Sequence, residues 1–566
     1  MEKRNLWRGF WTLFKSYWAS EEKWRAIGLL VLVIALNLAM VWFLVQINQW
    51  YNEFYNALQE YKSESFWGLV GQFSGLAFCY IVIAVYAVYL RQLLQIRWRT
   101  WMTRRYLDSW MAGQTYYRLQ DSTDNPDQRI SEDINSFVNL TLQLIVGFLR
   151  QLTTLAAFSV VLWELSGDFK LELGGTEFVI VGYMFWFSLI YSGVGTILVH
   201  KVGRKLIGLE FDQQKYVADF RFSMMRVREN AESIAFYRGE TAELEGFSAR
   251  FKNVIENFRR LMTKTKHLNF YVNGYSQAAV IVPLILAAPR YFRNEIQLGG
   301  LMQTISAFGR VQDALSYFVD SYATIASLAA VVNRLAGFTE HVEQVQKISS
   351  GVERATAPEL TLAELEITLP NGRELLKKLS MTLKNSSALL VTGASGCGKS
   401  TLLRTLAGIW AHASGKISLP EKSRVMFLPQ KPYLPLGTLR RALVYPLAES
   451  EAPPNEKLQE VLRAVDLPNL ADKLDVADDW TRILSGGEQQ RLAFARVLLT
   501  APDFIFLDEA TSALDEPREL EMYRLLKEKL PRATIVSVGH RSTLFDVHDT
   551  ELKLDGTGGW NLREVA

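Results

Sequence analysis

The chain is 566 residues long, 49% hydrophobic and 21% charged, with 62 Lys and Arg against 59 Asp and Glu. That length exceeds what one hydrophobic core organises, and a formal net charge of +3 gives no electrostatic case for a nucleic-acid partner. Two cysteines, Cys79 and Cys397, and six histidines without C-x-x-C or H-x-x-x-H spacing argue against a disulfide framework and a zinc site.

The N-terminal stretch MEKRNLWRGFWTLFKSYW has no short apolar core followed by a small-residue cleavage site, so it does not read as a removable signal peptide. Trp7, Phe10, Trp11, Phe14 and Trp18 recur at helical spacing beside Lys3, Arg4, Arg8 and Lys15. This predicts a helix within 1–25 that lies in the membrane interface. Apolar runs of roughly 20 residues, enough to cross a bilayer, follow near 26–47, 66–90, 140–163, 178–200, 270–292 and 299–325. The fifth contains Pro283 and Pro289, and the sixth carries charges. The expected membrane domain is 26–340, six transmembrane helices extended into the cytoplasm.

Basic residues set the orientation. The tail, segment 91–138 and segment 201–267 are rich in Arg and Lys, whereas the connections near 49–65 and 164–177 hold only Lys62 and Lys170 among several acids. The positive-inside bias places the N-terminus, both long segments and the C-terminal region in the cytoplasm. Each long segment is broken by a turn signal. In LQDSTDNPDQRISED, Asn125 reads as an N-cap with Pro126 at the first helical position, and in RENAESIAFYRGETAE, Gly239 reads as a helix end. A short crosswise helix is expected at each turn.

The sixth span poses its own question, because QTISAFGRVQDALSYFVD (303–320) is too charged for a helix facing lipid. On a helical projection Gln303, Ser306, Arg310, Asp313, Tyr317 and Asp320 share one side, while Ile305, Phe308, Val311 and Leu315 take the other and Gln312 breaks the pattern. Gln143, Gly147, Arg150 and Thr154 form a similar face on the third span, and the fifth begins with Asn273, Ser276 and Gln277. Charges this deep in a membrane face a bundle interior or water. Arg150, Gln303, Arg310, Asp313 and Asp320 are therefore candidates for a hydrated translocation cavity, the competing reading being an ion-pair network that locks helices together.

Segment 341–358 is polar, contains a Ser-Ser-Gly and a Pro, and reads as a linker. The remainder, 359–566, has the pattern of a soluble α/β domain. Its first strong motif is LLVTGASGCGKSTLLRTLAG, a buried strand, a glycine-rich loop and a helix that fit G-x-x-x-x-G-K-S. The glycines let backbone N–H groups wrap phosphates, Lys399 reaches the β- and γ-phosphates, and Ser400 ligates Mg²⁺. Gly393, Ser395, Gly396, Cys397, Gly398, Lys399, Ser400 and Thr401 are the candidate nucleotide contacts. In APDFIFLDEATSALDE an apolar strand ends in Asp508, placed to hold the Mg²⁺ shell, and Glu509, placed to act as general base on water. RILSGGEQQRLAFARVLL opens a helix on Ser485, Gly486 and Gly487, by itself only an anion-binding helix start.

Together these motifs resemble the ATP-binding cassette superfamily, whose signature LSGGQ is similar to LSGGEQ here, with Glu488 at the family glutamine position. The resemblance implies that Gln430 is the Q-loop glutamine that senses Mg²⁺ and water, that His540 contacts the γ-phosphate, and that Ser512 to Asp515 form the D-loop. It implies ATP as the bound nucleotide and a dimer, because the signature residues of one chain close on the ATP held by the other. With every hydrolytic motif present, a homodimer is the simplest expectation. One departure is Leu369, which stands where the family stacks adenine on an aromatic residue.

DNPDQRISED, ADFRFSMMRVRENAESIAFYRGE, GGTEF and PYLPLGTLRRALVYP further resemble the subgroup of half-transporters that contains peroxisomal fatty-acyl transporters and bacterial proteins of peptide and cobalamin uptake. The resemblance implies an ATPase that drives transport of a bulky amphiphilic or hydrophilic compound, a cobalamin-like molecule or a peptide, by import. The alternatives are an acyl-CoA or fatty-acid transporter and an ATP-gated channel or regulatory membrane ATPase. The expected location is a multi-pass bacterial inner membrane protein in contact with lipid.

Overall fold

The computed structural model describes residues 6–119, 125–173, 176–347 and 351–565. Lys3, Arg4, the 120–124 part of the first turn, Gly174, Gly175 and linker residues 348–350 lie outside them. The chain forms two compact units, Met1–Ala112 with Ser122–Val342, and Gly113–Asp121 with Glu343–Ala566.

The first unit is helical apart from one hairpin. Its helices are α1 (Leu6–Trp18), α2 (Lys23–Gln59), α3 (Ser63–Met111), α4 (Ile134–Ser166), α5 (Tyr183–Glu229), α6 (Ala231–Tyr237), α7 (Glu240–Phe292), α8 (Leu298–Asp320) and α9 (Tyr322–Lys347). Antiparallel β1 (Asp168–Leu173) and β2 (Thr176–Val181) join α4 to α5. Among the described residues, five stretches are long and apolar enough to cross a membrane: Lys23–Gln59, Ser63–Arg118, Pro126–Ser166, Glu240–Phe292 and Leu298–Lys347. The remaining predicted span corresponds to Tyr183–Val199, a shorter apolar stretch of α5. At about 1.5 Å per residue, the 47 residues of α5 and 53 of α7 run roughly 70 and 80 Å, more than twice a hydrocarbon core of about 30 Å. Pro283 and Pro289 do not break α7, in which Pro283 and Ala287 are buried. Packing by neighbouring helices compensates the backbone bonds that proline removes.

Helix α1 has two unlike faces. Tyr17 is fully buried and its ring stacks on Trp98 of α3 at 5.4 Å, while Trp7 and Trp11 remain exposed. At the first turn Asn125 takes a left-handed φ of 47° ahead of Pro126, and the chain passes through a single π-turn, Arg129–Asp133, into α4. At the second, α6 is the short helix expected, but the left-handed residue that ends it is Arg238 (φ 54°) and not Gly239.

Polar side chains seat α8. Asn56 and Gln59 of α2 accept from the N–H groups of Gly299 (2.8 Å) and Leu298 (2.6 Å), satisfying helix-start donors that have no intrahelical partner. A Cβ on Gly299 would collide with the Asn52 backbone carbonyl, so this crossing requires glycine. Behind the π-turn, buried Asp133 accepts from Arg129 of the same turn (3.0 Å) and from Arg334 of α9 through two bonds of 2.8 and 2.6 Å.

The second unit is α/β. A six-stranded sheet runs in the order β12 (Trp560–Glu564), β11 (Thr550–Leu554), β6 (Ala388–Gly393), β10 (Thr534–Val538), β9 (Phe504–Asp508), β8 (Val425–Leu428), parallel except for the β11–β12 pair. A four-stranded sheet of β3 (Gly351–Thr356), β7 (Ala413–Leu419), β4 (Leu360–Thr368) and β5 (Glu374–Leu383) packs over one face, and helices cover the other. Burial on both faces explains the unbroken apolar runs of β6, β9 and β10. The Gly113–Asp121 segment groups with this unit, where Gln346 donates to the Thr115 hydroxyl at 3.4 Å.

The Asp133 cluster yields a stability prediction. Asp133→Asn removes the charge that two arginines share, and is expected to cost about 3 kcal/mol and lower the unfolding midpoint of the purified protein. An unchanged thermal melt would show that the cluster carries no net stability.

Candidate functional site

The parallel order β6–β10–β9 brings three strand ends to one edge of the large sheet, the place where open α/β sheets bind ligands. From β6 the chain enters the loop 393–398 and then α10 (Lys399–Ala407). Gly393, Gly396 and Gly398 hold φ of 141°, 78° and 105°, which side chains rarely adopt. A Cβ on Gly393 would also meet the Leu554 carbonyl at 2.5 Å. Cys397 is buried beneath the loop. Lys399 Nζ donates to the carbonyls of Gly393 (2.8 Å) and Ala394 (3.1 Å), so the ammonium sits within the loop. Ser395 is in the exposed part of the same loop, and Thr401 lies in the first turn of α10.

Asp508 ends β9 and accepts from the Ser400 hydroxyl at 2.9 Å. Burial pushes its carboxyl above the usual range, an effect the Ser400 hydrogen bond opposes and Glu509 reinforces. A hydroxyl and a carboxylate oxygen side by side are hard ligands suited to Mg²⁺, which binds through one or two protein oxygens together with phosphates. Glu509 follows with a φ of 48°, an unusual conformation for a non-glycine residue and one that concentrates at functional sites. Its carboxylate accepts from Gln430 at 3.1 Å. His540 is exposed after Gly539, whose N–H donates to the Val391 carbonyl of β6 at 3.3 Å.

The signature residues open α11 (Gly486–Thr500). Ser485 is its N-cap, accepting from the Glu488 N–H at 3.3 Å, while the Glu488 carboxylate accepts from the Ser485 N–H at 2.8 Å. This is a reciprocal capping box, and S-x-x-E in the sequence is the signal that could have found it. Gly486 and Gly487 form the first turn. Gln489 donates to the carbonyls of Thr481 and Leu484, tying the helix start to the preceding turn.

Two positioning residues escaped sequence reasoning. Buried Gln490 donates to the Gln430 carbonyl (3.0 Å) and the Ser512 hydroxyl (3.1 Å), and accepts from the Ala513 N–H (2.9 Å). Arg541 donates to the carbonyls of Leu514 (2.7 Å) and Ser512 (3.2 Å). The loop 512–515 is thus held from both sides. Leu369 lies in a tight turn with its N–H on the Arg373 carbonyl and its side chain against the core between the sheets.

The five membrane candidates divide. Asp313 and Asp320 line one cavity of about 140 Å³ in the first unit, with Tyr275, Ser276 and Gln312. Gln303 is buried against α2, its amide oxygen accepting from Asn52 (2.8 Å) and its carbonyl from Asn48 (3.0 Å). Arg150 donates to the Tyr80 hydroxyl at 3.4 Å, and Arg310 is half-buried outside that cavity's lining.

Residues 13–292 match the family model of the ABC transporter transmembrane region 2, and residues 376–512 match that of the ABC transporter. An uncharacterized ABC transporter ATP-binding protein of Haemophilus influenzae is 38% identical over 557 residues, 98% of this chain and 93% of its own length. The chain belongs to the ABC transporter family. The inner membrane ABC transporter ATP-binding protein YddA of Escherichia coli is 36% identical across 95% of both chains. The human lysosomal cobalamin transporter ABCD4 is 29% identical over 84% of this chain and 82% of its own. This ABC half-transporter therefore binds ATP, couples its hydrolysis to transport and crosses the membrane several times. Half-transporters of this family work as dimers.

The capping box gives a pH-dependent prediction. The Glu488 carboxyl is held below its ordinary range by the Ser485 hydroxyl first and the Ser485 N–H next. A depressed pKa stabilises the fold above the unfolded value and loses that contribution as pH falls through the folded one. Glu488→Ala is expected to cost about 1 kcal/mol at neutral pH. Its midpoint should approach that of the wild type as the medium is taken below pH ~4, read by denaturant unfolding at each pH.

Proposed function

We propose that two copies of this half-transporter form a homodimer with two equivalent composite ATP sites and import a bulky hydrophilic or amphiphilic compound. The pairing of Ser400 with Asp508 and of Gln430 with Glu509 within one chain carries the reading, because it leaves neither site short of a hydrolytic group. In each site the N–H groups of the 393–398 loop cradle the phosphates, and Lys399 turns its ammonium to the β- and γ-oxygens. Ser400, Asp508 and Gln430 would hold Mg²⁺, which would supply positive charge to offset that of the phosphates. Ser485, Gly486 and Gly487 of the partner copy close over the γ-phosphate.

Hydrolysis then needs a water in line with the γ-phosphorus. Glu509 accepts its proton as the oxygen–phosphorus bond forms and ADP departs, and the Gln430 amide holds the Glu509 carboxylate in place. His540 contacts the γ-phosphate and Gln490 keeps the loops in register. The basic tail and segments support a cytoplasmic N-terminus and ATPase unit. Residues 1–25 act as an interfacial helix, 26–340 as the transmembrane domain, 341–358 as the linker and 359–566 as the ATPase domain. The named activity of the human cobalamin relative supports a large hydrophilic cargo, a cobalamin-like molecule or a peptide.

Glu509→Gln should lower ATPase turnover by about 10²-fold or more while leaving ATP binding in place. Co-assembled Lys399→Ala and Ser485→Arg chains should regain activity that neither has alone, since one composite site of the mixed dimer keeps both intact halves. No recovery in the mixed dimer would overturn the composite arrangement.

A further inference from the structure

The cavity of about 140 Å³ in the seam of α5, α7 and α8 is chemically one-sided. Its polar lining includes Tyr275 and Ser276 of α7 and Gln312, Asp313, Ser316 and Asp320 of α8. Among the described residues no Lys or Arg lines it. Among the described residues Arg310, one turn away on α8 and outside the cavity lining, is the basic group that acts on Asp313 through space. When ionised, the two carboxylates offer acceptors only, so the site then repels anions and is complemented by an N–H-rich cation.

Gln312 supplies an independent observation. It is 8% exposed, lines the cavity, and its side-chain amide has no hydrogen-bond partner among the described residues. An amide that reaches a cavity without a protein partner is completed there by water or by a ligand. Carboxylates within a membrane domain are costly as well, and mark ligand or ion pathways. The described residues hold no group of three His, Cys, Asp or Glu side chains suited to a metal ion. Its volume is several times the roughly 10–15 Å³ that one water needs. That suits a head group and not a whole bulky molecule.

We propose that this cavity binds the ammonium or guanidinium group of a cationic compound, with Asp313 and Asp320 as its counter-charges and the Gln312 amide as an orienting contact. The inference rests on the reading of the α8 polar face as the cargo path. It gives that path a selectivity, one positively charged group docked while the remainder of the molecule extends beyond the cavity.

The probe is monodansylcadaverine, which carries one primary ammonium, compared with its neutral N-acetyl derivative on the full-length protein in phosphatidylglycerol nanodiscs, with empty nanodiscs subtracted. The wild type should bind the cation at least about ten-fold more tightly than the neutral form, the discrimination expected of charge-assisted hydrogen bonds. Asp313→Asn with Asp320→Asn should bring the two affinities to parity, and Gln312→Glu, which adds a carboxylate, should widen the gap. Equal affinities in the wild type, or a preference that survives in the double variant, overturn the proposal whatever the folding of other variants. Competition by phosphatidylethanolamine would assign the ammonium to a lipid head group, and its absence to a soluble compound. A cation preference without ATP-driven movement of the probe in proteoliposomes would leave the cation site standing and remove the cargo-path reading.

Discussion

The parallel pairing of β6, β10 and β9 is the constraint on which the ATPase chemistry depends. Each strand is largely apolar because both faces are covered, so the ATPase groups appear where the strands end. Parallel order then puts those ends at one edge: the phosphate loop after Gly393, the carboxylates Asp508 and Glu509, and His540 just beyond Val538. A change in strand order would scatter these groups without altering any motif. The hydrogen bond from Ser400 to Asp508 is the local result, joining groups more than a hundred residues apart.

Around that edge, buried amides and guanidinium groups do the positioning. Gln490 satisfies all its bonds on the loops that carry Gln430 and Ser512, and Arg541 grips the same loop from the other side. Such fully satisfied polar contacts rigidify a site because moving any member strands a buried donor or acceptor. The positive φ of Glu509 fits this picture, since a strained backbone persists only where its surroundings hold it.

The membrane unit uses polar groups differently. Asn48, Asn52, Asn56 and Gln59 seat the start of α8, and Asp133 with its two arginines ties α9 to the π-turn. Tyr317 fits where Gly147 has no side chain and donates to the Leu144 carbonyl. Apart from the exposed Gln59 contact, these contacts are buried or part-buried. Asp313 and Asp320 stand apart from them, with acceptor groups facing a cavity whose described lining holds no Lys or Arg.

Sequence alone determined the two-part architecture, the family and the residues with a fixed local chemistry. Lys399 in a glycine-rich loop, Asp508 and Glu509 at the end of an apolar strand, and Ser485 before a helix are legible because each motif is contiguous. Helical periodicity likewise showed that 303–320 has a polar side. It could not say that Gln303 and Tyr317 on that side are consumed in packing while Gln312, off the stripe, reaches the cavity, because those outcomes depend on neighbours from α2, α4, α5 and α7. The same reason hid Gln490 and Arg541, whose partners are distant in the chain. Local pattern fixes what a residue can do, and only tertiary packing decides which neighbour takes up its charge or hydrogen bonds.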